Sequence, residues 1–211
     1  MKDEHGKTFF LIAEDFFGVE KDYEKLFKKE EDKSKKIAVV VGHTINAKGY
    51  FSKLMNIAEW DFFFNKVSNL PTDKYQMFLH NENIKSYTQR QVDMAKRTEG
   101  YGLTVEMHFD SFEKESAHGC HAMYYCTNKK MRDLAEVFST QNEHHNVIKA
   151  RNNVAVTQRS QRGGGFIFEQ KGDCLLLEWG FGSNKEDSRL MNSDFFNIQY
   201  VLDDLWAGLN G

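Results

Sequence analysis

Four residues able to bind or activate water at a metal stand where a fold can gather them. His43 closes the run Val39-Val40-Val41-Gly42-His43, Glu59 lies in Ala58-Glu59-Trp60, His108 ends Val105-Glu106-Met107-His108, and Glu178 follows Leu175-Leu176-Leu177. Two imidazoles and a carboxylate are the ligand inventory of a hydrolytic zinc site, which keeps one position open for water. Such ligands leave the ion net positive, which lowers the pKa of its water towards about 7. A further carboxylate beside that water can take its proton and deliver it to a leaving amine. Glu178, set among apolar neighbours, loses solvation that favours its charged form, and a nearby metal pulls the other way. Each residue alone has an ordinary reading. A histidine after a strand is commonly a hydrogen-bonded core residue, and a glutamate opening a helix complements its dipole. Their joint occurrence points to a centre.

Three of the four follow apolar runs of strand type, which places them at strand carboxyl ends, where open α/β sheets bind ligands. From Lys36 the chain alternates between strand and helix patterns. Strands are expected at Ile37–Val41, Tyr75–Leu79, Leu103–Phe109, His121–Tyr125, Gly165–Glu169 and Cys174–Trp179. Helices are expected at Met55–Leu70, Thr88–Glu99, Asn128–Gln141 and Ser188–Leu209. This alternation argues for an α/β fold: a single domain with a mostly parallel twisted sheet of about six strands, flanked by helices. In Leu103–Phe109, Thr104, Glu106 and His108 share one face. Glu106 is thus either a hydrogen-bond partner that orients His108 or a salt-bridged structural residue.

Residues 1–35 differ in character. Acids and bases alternate from Glu20 to Lys36, and Phe16, Phe17, Tyr23, Leu26 and Phe27 make a helical stripe. The expected organisation is a charged, helical extension over 1–35 and a catalytic domain over 36–211. A net charge of −3 gives no general electrostatic reason to expect nucleic acid as partner. The apolar runs are too short to span a bilayer, and Met1-Lys2-Asp3-Glu4-His5 does not open a signal peptide. A monomer made in the cytoplasm is expected. Three cysteines leave an odd one out and argue against a disulfide framework. His118-Gly119-Cys120-His121 with Cys126 matches no zinc-ribbon spacing, and a strand with buried cysteines is the plainer reading.

The ordered set of Gly42-His43, Glu59, Val105-Glu106-Met107-His108-Phe109-Asp110-Ser111 and Glu178-Trp179-Gly180-Phe181-Gly182-Ser183-Asn184 resembles the zinc-dependent N-acetylmuramoyl-L-alanine amidases. The similarity spans residues 36–191, and the Glu178-to-Asn184 run is its most specific part. The resemblance implies Zn2+ held by His43, Glu59 and His108, with Glu178 as the catalytic acid/base. It implies a peptidoglycan substrate, cut by a zinc-bound water between N-acetylmuramic acid and the L-alanine of the stem peptide. Two departures stand out. The loop after His43 runs Thr44-Ile45-Asn46-Ala47-Lys48 in place of the family's Gly-Gly and acidic residue, and Asp110 replaces its usual asparagine. The Glu106 variant and the lack of a leader resemble phage endolysins that reach the wall at lysis. Arg159 and Arg162, beside Gly163–Gly165, form a basic approach able to contact stem-peptide carboxylates. Two other readings remain open: another zinc amide hydrolase, such as a stem-peptide peptidase or deacylase, and a non-catalytic wall-binding module of the same fold.

Overall fold

The computed structural model describes residues 32–114 and 116–211, and Lys33–Gly211 form one unit. The expected helical extension lies, apart from its last residues, outside the described residues. Lys33–Lys35 form a single 3-10 turn leading into the first strand.

The chain then runs β1 (Ile37–Val41), β2 (Phe51–Ser52), β3 (Ile57–Ala58), α1 (Glu59–Val67), β4 (Tyr75–Leu79), α2 (Tyr87–Arg97), β5 (Leu103–Asp110) and β6 (His121–Tyr125). It continues with α3 (Lys129–Asn146), β7 (Val154–Val156), α4 (Gly164–Glu169), β8 (Cys174–Phe181), α5 (Lys185–Met191) and α6 (Ile198–Asn210). The main sheet has six strands in the order β4-β1-β5-β8-β6-β7. All its pairs are parallel except β6 with β8. The expected architecture is therefore the one observed: an α/β domain whose mostly parallel sheet is flanked by helices.

The central strands are apolar because both of their faces are covered. Every residue of β1 and of β8 is buried, as a parallel strand between helix layers requires. One face packs Phe62 and Phe63 of α1, Phe138 of α3 and Leu202 and Leu205 of α6 into the larger core. The other face meets Phe166 and Ile167 of α4, which join Met123, Val156, Cys174 and Leu176. Helix starts carry polar caps: Ser86, Asn128, Asn184 and Asn197 each accept backbone N–H bonds with their side chains, meeting donors the helix leaves unpaired.

Three expected elements differ. The helix foreseen over Met55–Leu70 starts only at Glu59, because residues 51–58 fold into the β2–β3 hairpin, with Asn56 at φ 53° in its turn. Gly165–Glu169 lies in the short helix α4 rather than a strand. Gly163, at φ 73°, turns the chain into it. Ser188–Leu209 breaks into α5 and α6 at Asn192–Asn197, where Asn197 caps the second helix. Strand β7 carried too short an apolar run to be foreseen.

Candidate active site

The site is built at the carboxyl edge of the sheet, from β1, β5 and β8 with the start of α1. Gly42 ends the first strand by donating its N–H to the carbonyl of Met107 at 3.2 Å, which draws the chain against β5. A Cβ on Gly42 would stand 2.3 Å from His108 Cε1, so only glycine admits the histidine there. His43 follows with φ 66°, a left-handed conformation that turns its ring back over the edge. Gly49, at φ 76°, lets the returning loop approach equally closely: a Cβ there would meet His43 and Glu59 at 2.5 and 2.6 Å.

Glu59 Oε1 is the hub. His108 Nδ1 lies 2.7 Å from it and His43 Nε2 lies 3.2 Å from it. The three ligand atoms fall within 4.8 Å of one another, and among the described residues no other group of His, Cys, Asp and Glu is so arranged. Tetrahedral bonds of about 2.0–2.1 Å to one ion separate its donor atoms by about 3.3 Å, so this spacing fits a shared coordination sphere. Two imidazoles and a carboxylate are a borderline donor set suited to zinc. The residues fit that ion.

The electrostatics follow from the packing. Burial works to raise the Glu59 pKa, but hydrogen bonds with His108 and His43 overcome it and hold it at about 2. Burial likewise opposes charge on His108, yet Glu106 and Glu59 on either side raise its pKa well above 6.5. Glu106 Oε2 lies 3.4 Å from His108 Nε2, while its Oε1 lies 2.8 Å from His80 Nε2 and accepts from Gln91 at 3.5 Å. Burial resists ionisation of Glu106 as well, but the two histidines hold its carboxyl below the usual range. His108 is thus gripped through both nitrogens by carboxylates.

Glu178 stands beside His108 in register across β5 and β8, and opposite His121 across β8 and β6. The three make one row along the sheet. Just beyond, the pairing slips between His108 and Asp110, and Gly180 at φ 155° takes the irregular backbone, the kind of bulge that re-aims side chains near active sites. Trp179 points to the opposite face, edge-on to Phe138 at 5.0 Å. Burial pushes the Glu178 pKa up to about 7, with His108 and Arg162 pulling it down. Arg162 donates to Glu178 Oε1 at 3.1 Å and to Asp110 Oδ1 at 2.5 Å. Arg151 reaches Asp110 Oδ2 at 3.4 Å. Glu178 Oε2 is buried and has no protein partner. Burial and then Arg151 depress the neighbouring His121 to about 4, so its ring is neutral near pH 7.

A cleft of about 490 Å³ opens over His108 and Glu178. His43, Glu59, His108, Glu178, Glu106 and Arg162 line it, along with His80, Tyr87, Arg90 and Gln91. Asp110 sits just outside, tied to both arginines. Arg159 does not reach the cleft and pairs with Glu169. The Cys120–Cys126 tract forms no cation site among the described residues: Cys120 and Cys174 are buried and Cys126 is exposed. Sequence reading missed His80, Gln91, His121 and Arg151. His80 carried a usable signal, since it directly follows the strand Tyr75–Leu79 as His43 follows the first.

Solved structures share this fold. An endolysin catalytic domain targeting Clostridia difficile superposes with a TM-score of 0.62 at 18% identity, covering 83% of this chain and 96% of that one. An N-acetylmuramoyl-L-alanine amidase of Nostoc punctiforme gives 0.61 at 19% identity, covering 83% and 96%. That of Clostridium difficile 630 gives 0.61 at 16%, covering 83% and 95%. At these identities the likeness shows the fold. No curated protein matches the chain. The sequence model of one family, described as N-acetylmuramoyl-L-alanine amidase, matches residues 37–203, most of the chain and the whole of the site. The chain belongs to the N-acetylmuramoyl-L-alanine amidase family.

Proposed function

We propose that the chain cleaves the amide joining N-acetylmuramic acid to the L-alanine of the peptidoglycan stem, with Zn2+ held by His43, Glu59 and His108. The observation that carries this reading is the convergence of those three side chains on one point, with Glu178 in register beside His108. A bound zinc supplies Lewis acidity, polarising the scissile carbonyl and easing ionisation of water towards about pH 7.

The chain's own residues do the rest. Glu178 Oε2, which has no protein partner, accepts the proton of the attacking water and passes it to the leaving nitrogen of L-alanine. Burial makes it hold its proton more tightly than an exposed carboxyl would, which suits it to serve in both directions. Arg162 fixes the other oxygen, Oε1, so the free oxygen keeps its aim. Glu106, braced by His80 and Gln91, orients the His108 ring from behind. Arg90 on the cleft wall favours the carboxylates of the stem peptide. A lytic role, with the enzyme made in the cytoplasm and reaching the wall at lysis, is the biological setting we favour. The likeness in fold to an endolysin catalytic domain supports it.

The experiment is metal analysis of the purified chain together with digestion of purified peptidoglycan, with mass spectrometry of the fragments, for wild type and His108→Ala. Glycan chains free of peptide, and peptides with intact L-alanine amino termini, are expected from wild type alone. Release of D-amino acids, or an inactive wild type that takes up no zinc, refutes the reading.

A further inference from the structure

The two walls of the cleft differ in chemistry, and the difference orients a substrate. On the α2 side stand Arg90, whose guanidinium lies over Tyr87 and donates to the carbonyls of Ile84 and Lys85, and Arg162, which is paired with Asp110 and Glu178 and still half-open to the cleft. On the hairpin side four apolar side chains are exposed. Phe51 is 51% exposed, Leu54 53%, Phe112 56% and Tyr50 36%. Single exposed apolar residues are ordinary on a protein surface, whereas a group of them beside a cleft signals contact.

These four belong to one place. Ser52 Oγ donates to the carbonyl of Gly182 at 2.6 Å, and the N–H of Phe112 donates to Ser183 Oγ at 2.9 Å. The hairpin and the loop after β5 are thus both fastened to the same turn behind Glu178. Tyr50 joins the group to the centre: its N–H donates to Glu59 Oε2 at 3.3 Å, and its ring meets Phe109 edge-on at 6.4 Å. The outward direction of Phe51 is set by strand alternation, since its neighbour Ser52 is fully buried. Of the hairpin's lysines, Lys48 is neutralised by Asp61 at 2.7 Å, which leaves Lys53 near the turn.

We propose that Tyr50, Phe51, Leu54 and Phe112 form a subsite for the saccharide strand, so that the neutral glycan lies over the hairpin and the anionic peptide over the arginine wall. The proposal rests on the amidase reading of the same centre and adds the direction in which substrate lies. The scissile amide joins two unlike halves: neutral pyranose rings with apolar C–H faces, and a peptide bearing carboxylates. Aromatic rings have electron-rich faces that favour the C–H faces of sugars, and guanidinium groups favour carboxylates. Only one orientation gives each half its complementary wall.

The test compares full-length wild type, the Phe51→Ser/Leu54→Ser double variant and Phe112→Ser on two substrates: polymeric peptidoglycan, and a monosaccharide muramoyl peptide. Loss of two apolar contacts should raise KM on the polymer about 10-fold, with activity on the monosaccharide substrate kept within about 2-fold. An equal loss on both substrates, or no loss on either, overturns the proposal. So does sedimentation showing that wild type is a dimer which the substitutions dissociate, because the ledge would then face a second copy. Binding of a β-1,4-linked N-acetylglucosamine oligomer, followed by quenching of tyrosine fluorescence, is read separately from cleavage. If wild type binds the oligomer and the double variant does not, the subsite stands even where the muramoyl peptide resists cleavage and the amidase reading fails. Absence of oligomer binding by a wild type that cleaves polymer refutes the subsite alone.

Discussion

Replacing Glu178 with glutamine tests the reaction and the electrostatics together. Glutamine keeps the shape and burial of the side chain but carries no charge and moves no proton. Loss of a general acid/base costs about 100- to 10,000-fold in rate, so wall digestion should nearly vanish. The fold should respond in the opposite sense. Burial raises the Glu178 pKa from 4.5 to about 7, so the folded chain holds this proton more tightly than the unfolded chain does. The stability this contributes is full below pH 4.5 and is lost as the pH rises through about 7. Between about pH 5 and about pH 8, linkage sets the change at about 2–3 kcal/mol, an upper figure because denatured chains retain some structure. Glutamine does not titrate. Relative to wild type, metal-free Glu178→Gln should therefore gain about 2–3 kcal/mol on passing from about pH 5 to about pH 8. Urea unfolding of both metal-free proteins at the two pH values, followed by circular dichroism, measures the double difference. An identical offset at both pH values refutes the assignment of a raised pKa to this carboxyl. Retained lysis by the variant refutes its role as proton carrier.

Two further substitutions probe the support around the ligands. Glu106→Gln, with the acid contacted by His80, His108 and Gln91, should weaken zinc binding about 10- to 100-fold while the metal-free chain stays folded. Competition with a calibrated chelator reads the affinity, and an unchanged value would show that His108 needs no such brace. Gly42→Ala puts a methyl 2.3 Å from His108 Cε1 and 2.6 Å from the Met107 carbonyl. It should cost about 1–3 kcal/mol of stability and most of the zinc affinity, whereas equal affinity would mean the ring can retreat freely.

Much of this site was legible because its parts obey local rules. His43, His108 and Glu178 each follow an apolar run, and in the folded sheet those runs are β1, β5 and β8, side by side. Glu59 opens a helix as its position suggested, although that helix starts later than its apolar pattern implied. What escaped reading depends on pairing between distant strands. His121 becomes a neighbour of Glu178 only because β6 runs antiparallel to β8, and no local pattern states that reversal. Arg151 enters through Asp110, two residues beyond His108, and the sequence offers no sign of which arginine that acid meets. The strand expected at Gly165–Glu169 shows the limit of short apolar runs. Phe166 and Ile167 bury themselves as well on one turn of helix as on a strand, and six residues are too few for periodicity to decide.

His43 sits at φ 66°, in a region that glycine and asparagine enter readily and most other residues avoid. Nothing about folding calls for histidine there, and a chain selected for stability alone would place glycine or asparagine at the position. The strained residue persists because its ring is wanted over the sheet edge, beside Glu59 and His108. Drift at this position is therefore asymmetric: substitutions that relax the backbone come easily, and each removes a proposed ligand. A descendant that had given up catalysis and kept only the fold would be expected to carry its mark at residue 43 first.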